Sequence, residues 1–311
     1  MMLRPGTLFG LLICGFIVIL TAQMCSSPHT GEGHAEAYLN HSDTVDYVGR
    51  ETCLKCHRDK HSFLSTGMGL SFEHATPQKS QASFVPWPEV YDSALDMYYT
   101  AFWQDDVLWM KEYRLLNGDT VHELSQRIDY IIGSGQHTNS HLFKVHDLLF
   151  QAPMTWYAQE KKWDLPPGFE NGNNSRFSRW IDVECMSCHN AMPVMKAESE
   201  RQFAQIGNGI DCERCHGPGE LHVQLRMKGE SAMDENGNDR SIVNPSKLSW
   251  ERQIDLCQRC HLQGLNLLKE GKKFTDYKPG MVLKDVFEIY LPSFEGGVGR
   301  FDMANHAQRL Q

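Results

Sequence analysis

The sequence predicts an α+β chain with low regular secondary structure: short helices, long loops and a β-meander insertion between the first and second copies of a repeated cysteine motif. Three observations predict this. Eight of the ten cysteines form four CxxC pairs, Cys53/Cys56, Cys185/Cys188, Cys212/Cys215 and Cys257/Cys260. Successive pairs are offset by 132, 27 and 45 residues, so the last three are close along the chain and a large insertion follows the first. That insertion, about 95–158, is rich in aromatic and β-branched residues, whereas the remainder carries loop signals such as Pro166-Pro167-Gly168.

Each element follows in chain order. Arg4 precedes thirteen uncharged residues from Leu8 to Leu20, the length of a secretory h-region and short of the roughly 20 residues that span a bilayer. Residues 1–24 therefore read as an export signal. Cys14 lies inside it, and Cys25, followed by Ser26-Ser27, sits where a lipoprotein signal places its acylated cysteine. Lipid attachment at Cys25, plain cleavage and an uncleaved anchor are the alternatives, because Met24 is not the small residue expected before an acylated cysteine. Residues 25–46 are polar, without an apolar period, and read as a flexible tether. Its His29, His34 and His41 read as solvated residues.

The domain proper spans 47–311. In the insertion, runs 95–103 and 107–115 flank Gln104-Asp105-Asp106, and Asn117-Gly118 is a hairpin turn signal. Strands follow over 120–126, 127–132, 142–145 and 148–151. A hydrophobic content of 41% suffices for a core. The net charge of −9 and the scattered lysines and arginines exclude a nucleic-acid binder, which needs a concentrated basic face.

Every CxxC pair is followed at once by histidine: His57, His189, His216 and His261. A bare CxxC is shared by redox dithiols and zinc half-sites. With 15 histidines in 311 residues, four such neighbours by chance is on the order of one in 10⁵. CxxCH is the c-type haem attachment signature: two thiols form thioethers with one porphyrin, and the next imidazole meets the iron. The chain thus predicts four covalently attached c-type haems, with His57, His189, His216 and His261 as proximal ligands and no other metal. Export fits, because c-type haem is attached outside the cytoplasm. Seven tryptophans and fifteen phenylalanines suit a core that is largely porphyrin.

The second axial position decides function, since histidine or methionine closes an iron and an open position admits substrate. His222 follows Cys215-His216-Gly217-Pro218-Gly219, too short and too sharply turned to pass round its own haem, so it points to a neighbouring one. His137, after the glycine-rich 133–135, and His306, in a helical stretch, are the other probable distal ligands. The first haem is the least determined: His61, His74 and Met68 follow its motif. His122, His141 and His146 read as structural or surface residues. No residue stands out as catalytic.

At these residues the chain resembles a family. Tyr47-Val-Gly-Arg-Glu-Thr-Cys53, Ile132-Gly-Ser-Gly-Gln-His137-Thr-Asn-Ser140 and Cys212…His216-Gly-Pro-Gly-Glu-Leu-His222 look like the exported multihaem cytochromes of the cytochrome c-552/c-554 type, over roughly 47–306. The resemblance implies a haem-packed multihaem cytochrome c core with His222 as a distal ligand. Similar chains often continue past the equivalent of His306 with further haem motifs. The expectation is an exported, periplasmic or cell-envelope electron carrier that passes single electrons between redox partner proteins. An oxidoreductase acting on a small nitrogen or sulfur compound at one open haem, the first by preference, is the alternative. A third reading, a docking module, would require an exposed hydrophobic sheet face.

Overall fold

The structure, a computed structural model, describes residues 38–291 apart from 198, 200 and 263. The export signal, Cys14, Cys25, His29, His34 and His306 lie outside the described residues. Among those described, no helix is long and apolar enough to cross a membrane.

The insertion is two antiparallel sheets, where the sequence predicts one meander. The first sheet orders β2 (Glu89–Asp92), β3 (Met97–Gln104), β4 (Val107–Leu116) and β5 (Asp119–Arg127) as consecutive neighbours. Asp105-Asp106 and Asn117-Gly118 make its turns, all four with positive φ, which suits tight hairpins. The second sheet runs β1 (Phe72–His74), β6 (Tyr130–Ile132), β7 (Thr138–Val145), β8 (Leu148–Tyr157) and β10 (Arg179–Ile181), with β9 (Lys162–Asp164) also on β8. The predicted strand 127–132 is broken at Ile128 and Asp129, where the chain leaves one sheet for the other. The sheets thus reach beyond 95–158 on both sides, recruiting β1, β2, β9 and β10. These strands are three or four residues long, too short to carry a readable alternation.

The two sheets face each other over one core containing Tyr99, Leu108 and Met110 from the first and Ile131, Phe143 and Met154 from the second. Alternation along β3 and β4 then sends Tyr98, Phe102, Trp109 and Tyr113 to the outer face. There Tyr91, Tyr98 and Tyr113 stack in a row, and Trp87 stacks on Phe102 with 62% of its surface exposed. Of these residues Trp87 and Tyr91 are exposed and the others half-buried. On the inner side, the fully buried Glu112 accepts hydrogen bonds from Arg176 Nε at 2.9 Å and is paired with His122 Nε2 at 2.9 Å, so His122 has a structural partner.

The second sheet is covered on its other face too. Phe72, Tyr130, Leu142, Leu149 and Ile181 pack there against Met186 and Phe203. Phe203 starts β12 (Phe203–Gln205), paired with β11 (Val194–Met195). Met186 sits between two motif cysteines, so the sandwich is the platform for the second motif. A last hairpin, β13 (Leu265–Leu268) with β14 (Phe287–Tyr290), carries a small core of Tyr277, Leu283, Val286 and Phe287. Within residues 38–46, which composition assigns to the tether, only Tyr38 and Asn40 are buried. Tyr38 lies in a cluster with Val243 and Leu248, and the buried Asn40 donates to His216 O at 3.0 Å and Pro218 O at 3.1 Å. A polar side chain that satisfies buried carbonyls leaves no apolar period to read.

Candidate haem-attachment site

All four motifs are at helix ends. Helix α1 (Arg50–Cys56) carries the first, α2 (Val183–His189) the second, α3 (Glu213–His216) the third and α5 (Trp250–His261) the fourth, while α4 (Glu220–Met227) carries His222. Within each motif the cysteines are i and i+3 and the histidine i+4, so a helix puts all three on one face. Helical bonds hold that geometry: His57 N donates to Cys53 O and His216 N to Cys212 O, both at 3.0 Å. Asp182 caps α2 by accepting from Cys185 N, and Ser249 caps α5 by accepting from Arg252 N. None of the eight forms a disulfide; three are exposed and five half-buried. Cysteine is among the most buried residue types, so eight accessible ones, each beside an imidazole, mark surfaces shaped for a group other than protein.

The motifs meet in a definite arrangement. The thiols of Cys53 and Cys212 interact, which pushes Cys53 up and draws Cys212 down to about 7. Cys188 and Cys260 do the same, with Cys188 drawn well down and Cys260 pushed well up. Cys215 and Cys257 lie close enough to interact electrostatically. The first motif therefore neighbours the third, and the second, third and fourth lie close to one another.

The residues between the cysteines hold this arrangement, and sequence reasoning passed over them. Leu54 and Met186 are buried apolar anchors, Met186 at 0% exposure. Glu213, 3% exposed, accepts from Val48 N at 2.9 Å, Gly49 N at 2.7 Å and Gly219 N at 2.8 Å. Gly49 is the N-cap of α1, so one carboxylate of the third motif ties down the start of the first. Arg214 donates to Ser187 O of the second motif. Arg259, 5% exposed, reaches the second motif at Cys188 Sγ, 3.8 Å away, and donates to Phe274 O at 2.9 Å. The available signal was that Glu213 is the one acidic residue inside any CxxC pair.

Two imidazoles show how an iron could be held. His216 Nδ1 bonds Val243 O at 2.7 Å, which fixes the tautomer and leaves Nε2 for a metal. His222 Nδ1 likewise meets Ser241 Oγ and Asp239 Oδ2, each at 3.2 Å. Burial lowers the His222 pKa, which favours the neutral form that can ligate. Its ring lies near that of His57, with centroids 6.4 Å apart and planes inclined by 23°. An imidazole nitrogen about 2 Å from a metal puts its ring centre about 3 Å away, so two imidazoles on opposite sides of one ion stand about 6 Å apart. Gly217 makes the turn that brings His222 there: its φ is +76°, and a Cβ would stand 2.7 Å from Asn40 Nδ2.

The other candidates are placed elsewhere. His61 is exposed in the 3-10 stretch Arg58–Ser65. His74 is exposed on β1 and lies 4.8 Å from the Tyr130 ring. Met68 is 45% exposed, its carbonyl accepting from Ile210 N. Of the described distal candidates, His222 is the one whose ring lies near that of His57. His137 stands just before β7, its carbonyl accepting from Ala158 N at 2.8 Å. His141 is buried in the sandwich and bonds Met154 O through Nδ1, and His146 is in the β7–β8 turn. Among the described residues, no group of three or more His, Cys, Asp or Glu side chains is placed to hold a metal ion. A cavity of about 1470 Å³ lies between the first three motifs, with Arg50, Lys196, Arg201 and Lys273 among its lining.

Comparison with known families bears on this geometry. The family described as cytochrome c554 and c-prime matches residues 157–217, which include the second and third motifs and Gly217. This match supports a c-type cytochrome. No curated protein and no solved structure shows a significant match to the chain. A c-type cytochrome carries covalently bound haem, and the residues present fit it: paired accessible thiols at i and i+3, an imidazole at i+4, and a second imidazole near that of His57.

Proposed function

We propose that the chain is an exported tetrahaem c-type cytochrome that relays single electrons between redox partner proteins. Haem supplies one-electron exchange at iron. The chain's own residues attach and space the groups: the eight motif cysteines as thioether anchors, and His57, His189, His216 and His261 as proximal ligands. His222 is the distal partner of His57, and His137 and His306 are distal candidates for the other irons. The observation that carries the reading is the series of contacts between motifs: Glu213 of the third accepts from Gly49 N at the first, Arg214 of the third donates to Ser187 O of the second, and Arg259 of the fourth reaches Cys188 Sγ of the second. Such a series suits a relay, and an imidazole on each side of the first iron disfavours substrate chemistry at that position. The apolar stretch 8–20 supports export to the periplasm or cell envelope, and Cys25 is the proposed site of lipid attachment if the protein is membrane-anchored.

Reductive titration of the purified holoprotein tests this. The relay takes up four electrons per chain, and its first haem is low-spin and does not bind added cyanide. His222→Ala converts one haem to high spin, and that haem is the one attached through Cys53 and Cys56. An unchanged spectrum in the variant, or a cyanide-binding first haem in the parent, refutes the ligand assignment.

A further inference from the structure

The buried charges around the motifs are not evenly distributed. Where the first and third motifs meet, two carboxylates are buried: Glu213, held by three backbone N–H groups, and Asp211, 5% exposed, whose Oδ1 accepts from Glu213 N at 3.1 Å. Arg50 and Arg214 act on Asp211 through space without an ion pair. Where the second and fourth motifs meet, the buried charge is Arg259. Its guanidinium lies 4.8 Å from the Phe287 ring centre and 5.9 Å from that of Phe274, and bonds the Phe274 carbonyl and the Cys188 sulfur. Among the described residues no carboxylate is within ion-pair distance of it. Glu184 acts on it from an exposed position, where solvent screens the interaction. Arginine stays protonated at any accessible pH, so this cation is permanent.

We propose that these charges polarise the series, making the second and fourth motifs the high-potential end and the first and third the low-potential end. The inference rests on the tetrahaem reading. Reduction delivers one electron to each iron from an external reductant, makes and breaks no bond, and lowers the local charge by one. A buried cation beside a motif therefore favours the reduced form there, and a buried carboxylate favours the oxidised form, with a strength that a low-dielectric surrounding enhances. Electrons entering at the first motif would then move toward the second.

Optical and EPR potentiometric titration with dithionite and ferricyanide tests it, on holoprotein whose four covalent haems have first been counted. Arg259→Gln shifts the highest-potential component toward the oxidised form by tenfold or more at fixed poise, about 59 mV for one electron, and leaves the lowest component in place. Arg259→Lys, which keeps the charge, retains the parent's highest potential. Glu213→Gln shifts the lowest component toward the reduced form, so the two neutral variants narrow the total span from opposite ends. Four haems with an unchanged span in both neutral variants, or a shift at the wrong end, overturns the polarity. Absence of covalent haem in the parent instead overturns the reading beneath it.

Discussion

Replacing Glu213 by alanine removes the acceptor for three backbone donors at once. The Gly219 N–H is fully buried and loses about 2 kcal/mol, and the partly buried Val48 and Gly49 donors, which regain some water, lose about 1 kcal/mol each. Relief of the desolvation the carboxylate suffers trims the total, leaving a destabilisation of about 3 kcal/mol. Glu213→Gln keeps one carbonyl oxygen in place and costs about 1–2 kcal/mol. Urea unfolding of the holoproteins, followed by far-UV circular dichroism and by the Soret band, reads both values from the midpoint shift at constant slope. The alanine variant also loosens the junction of the first and third motifs, so its Soret band changes before the global transition. A shift under 0.5 kcal/mol for Glu213→Ala, or equal costs for alanine and glutamine, would refute the view that this carboxylate acts as a backbone acceptor.

Two further outcomes follow from the platform. His141 is fully buried, and desolvation lowers its pKa from 6.5 to about 4. The unfolded chain therefore binds a proton that the folded chain refuses between those values, so stability is complete above pH 6.5 and falls by about 3 kcal/mol on acidification to pH 4. His141→Asn removes that limb from the plot of stability against pH; an unchanged acid slope in the variant would place the titration elsewhere. Met186→Ala opens a cavity where the second motif rests on the sheet and costs about 2–5 kcal/mol. The second haem's spectrum should shift with it, whereas a spectrum identical to the parent's would mean the sandwich does not position that motif.

The chemistry of the chain was legible because it is local. Cys-x-x-Cys-His states its own geometry, three side chains on one helical face, and no tertiary information is needed to read it. The long strands β3, β4 and β5 were legible for the same reason, as were the turns at Asp105-Asp106 and Asn117-Gly118. What was hidden depends on contacts far apart in sequence. The division of the insertion into two sheets turns on Ile128 and Asp129, which differ in no evident way from strand residues. Asn40, Glu213 and Arg259 look like surface residues by type and are buried because each satisfies backbone or ring partners on a distant segment. His222 was readable as a candidate ligand for a neighbouring haem, but its place beside His57 depends on the turn at Gly217 and on Asn40 lying against it.

The most direct measurement is the number of haems bound covalently to one chain of the purified protein, by intact mass under denaturing conditions together with a pyridine haemochrome assay. The account predicts four, falling by one when Cys53 and Cys56 are both replaced by serine and likewise for each of the other pairs. Fewer than four, or haem that acid–acetone extracts from the chain, would contradict it.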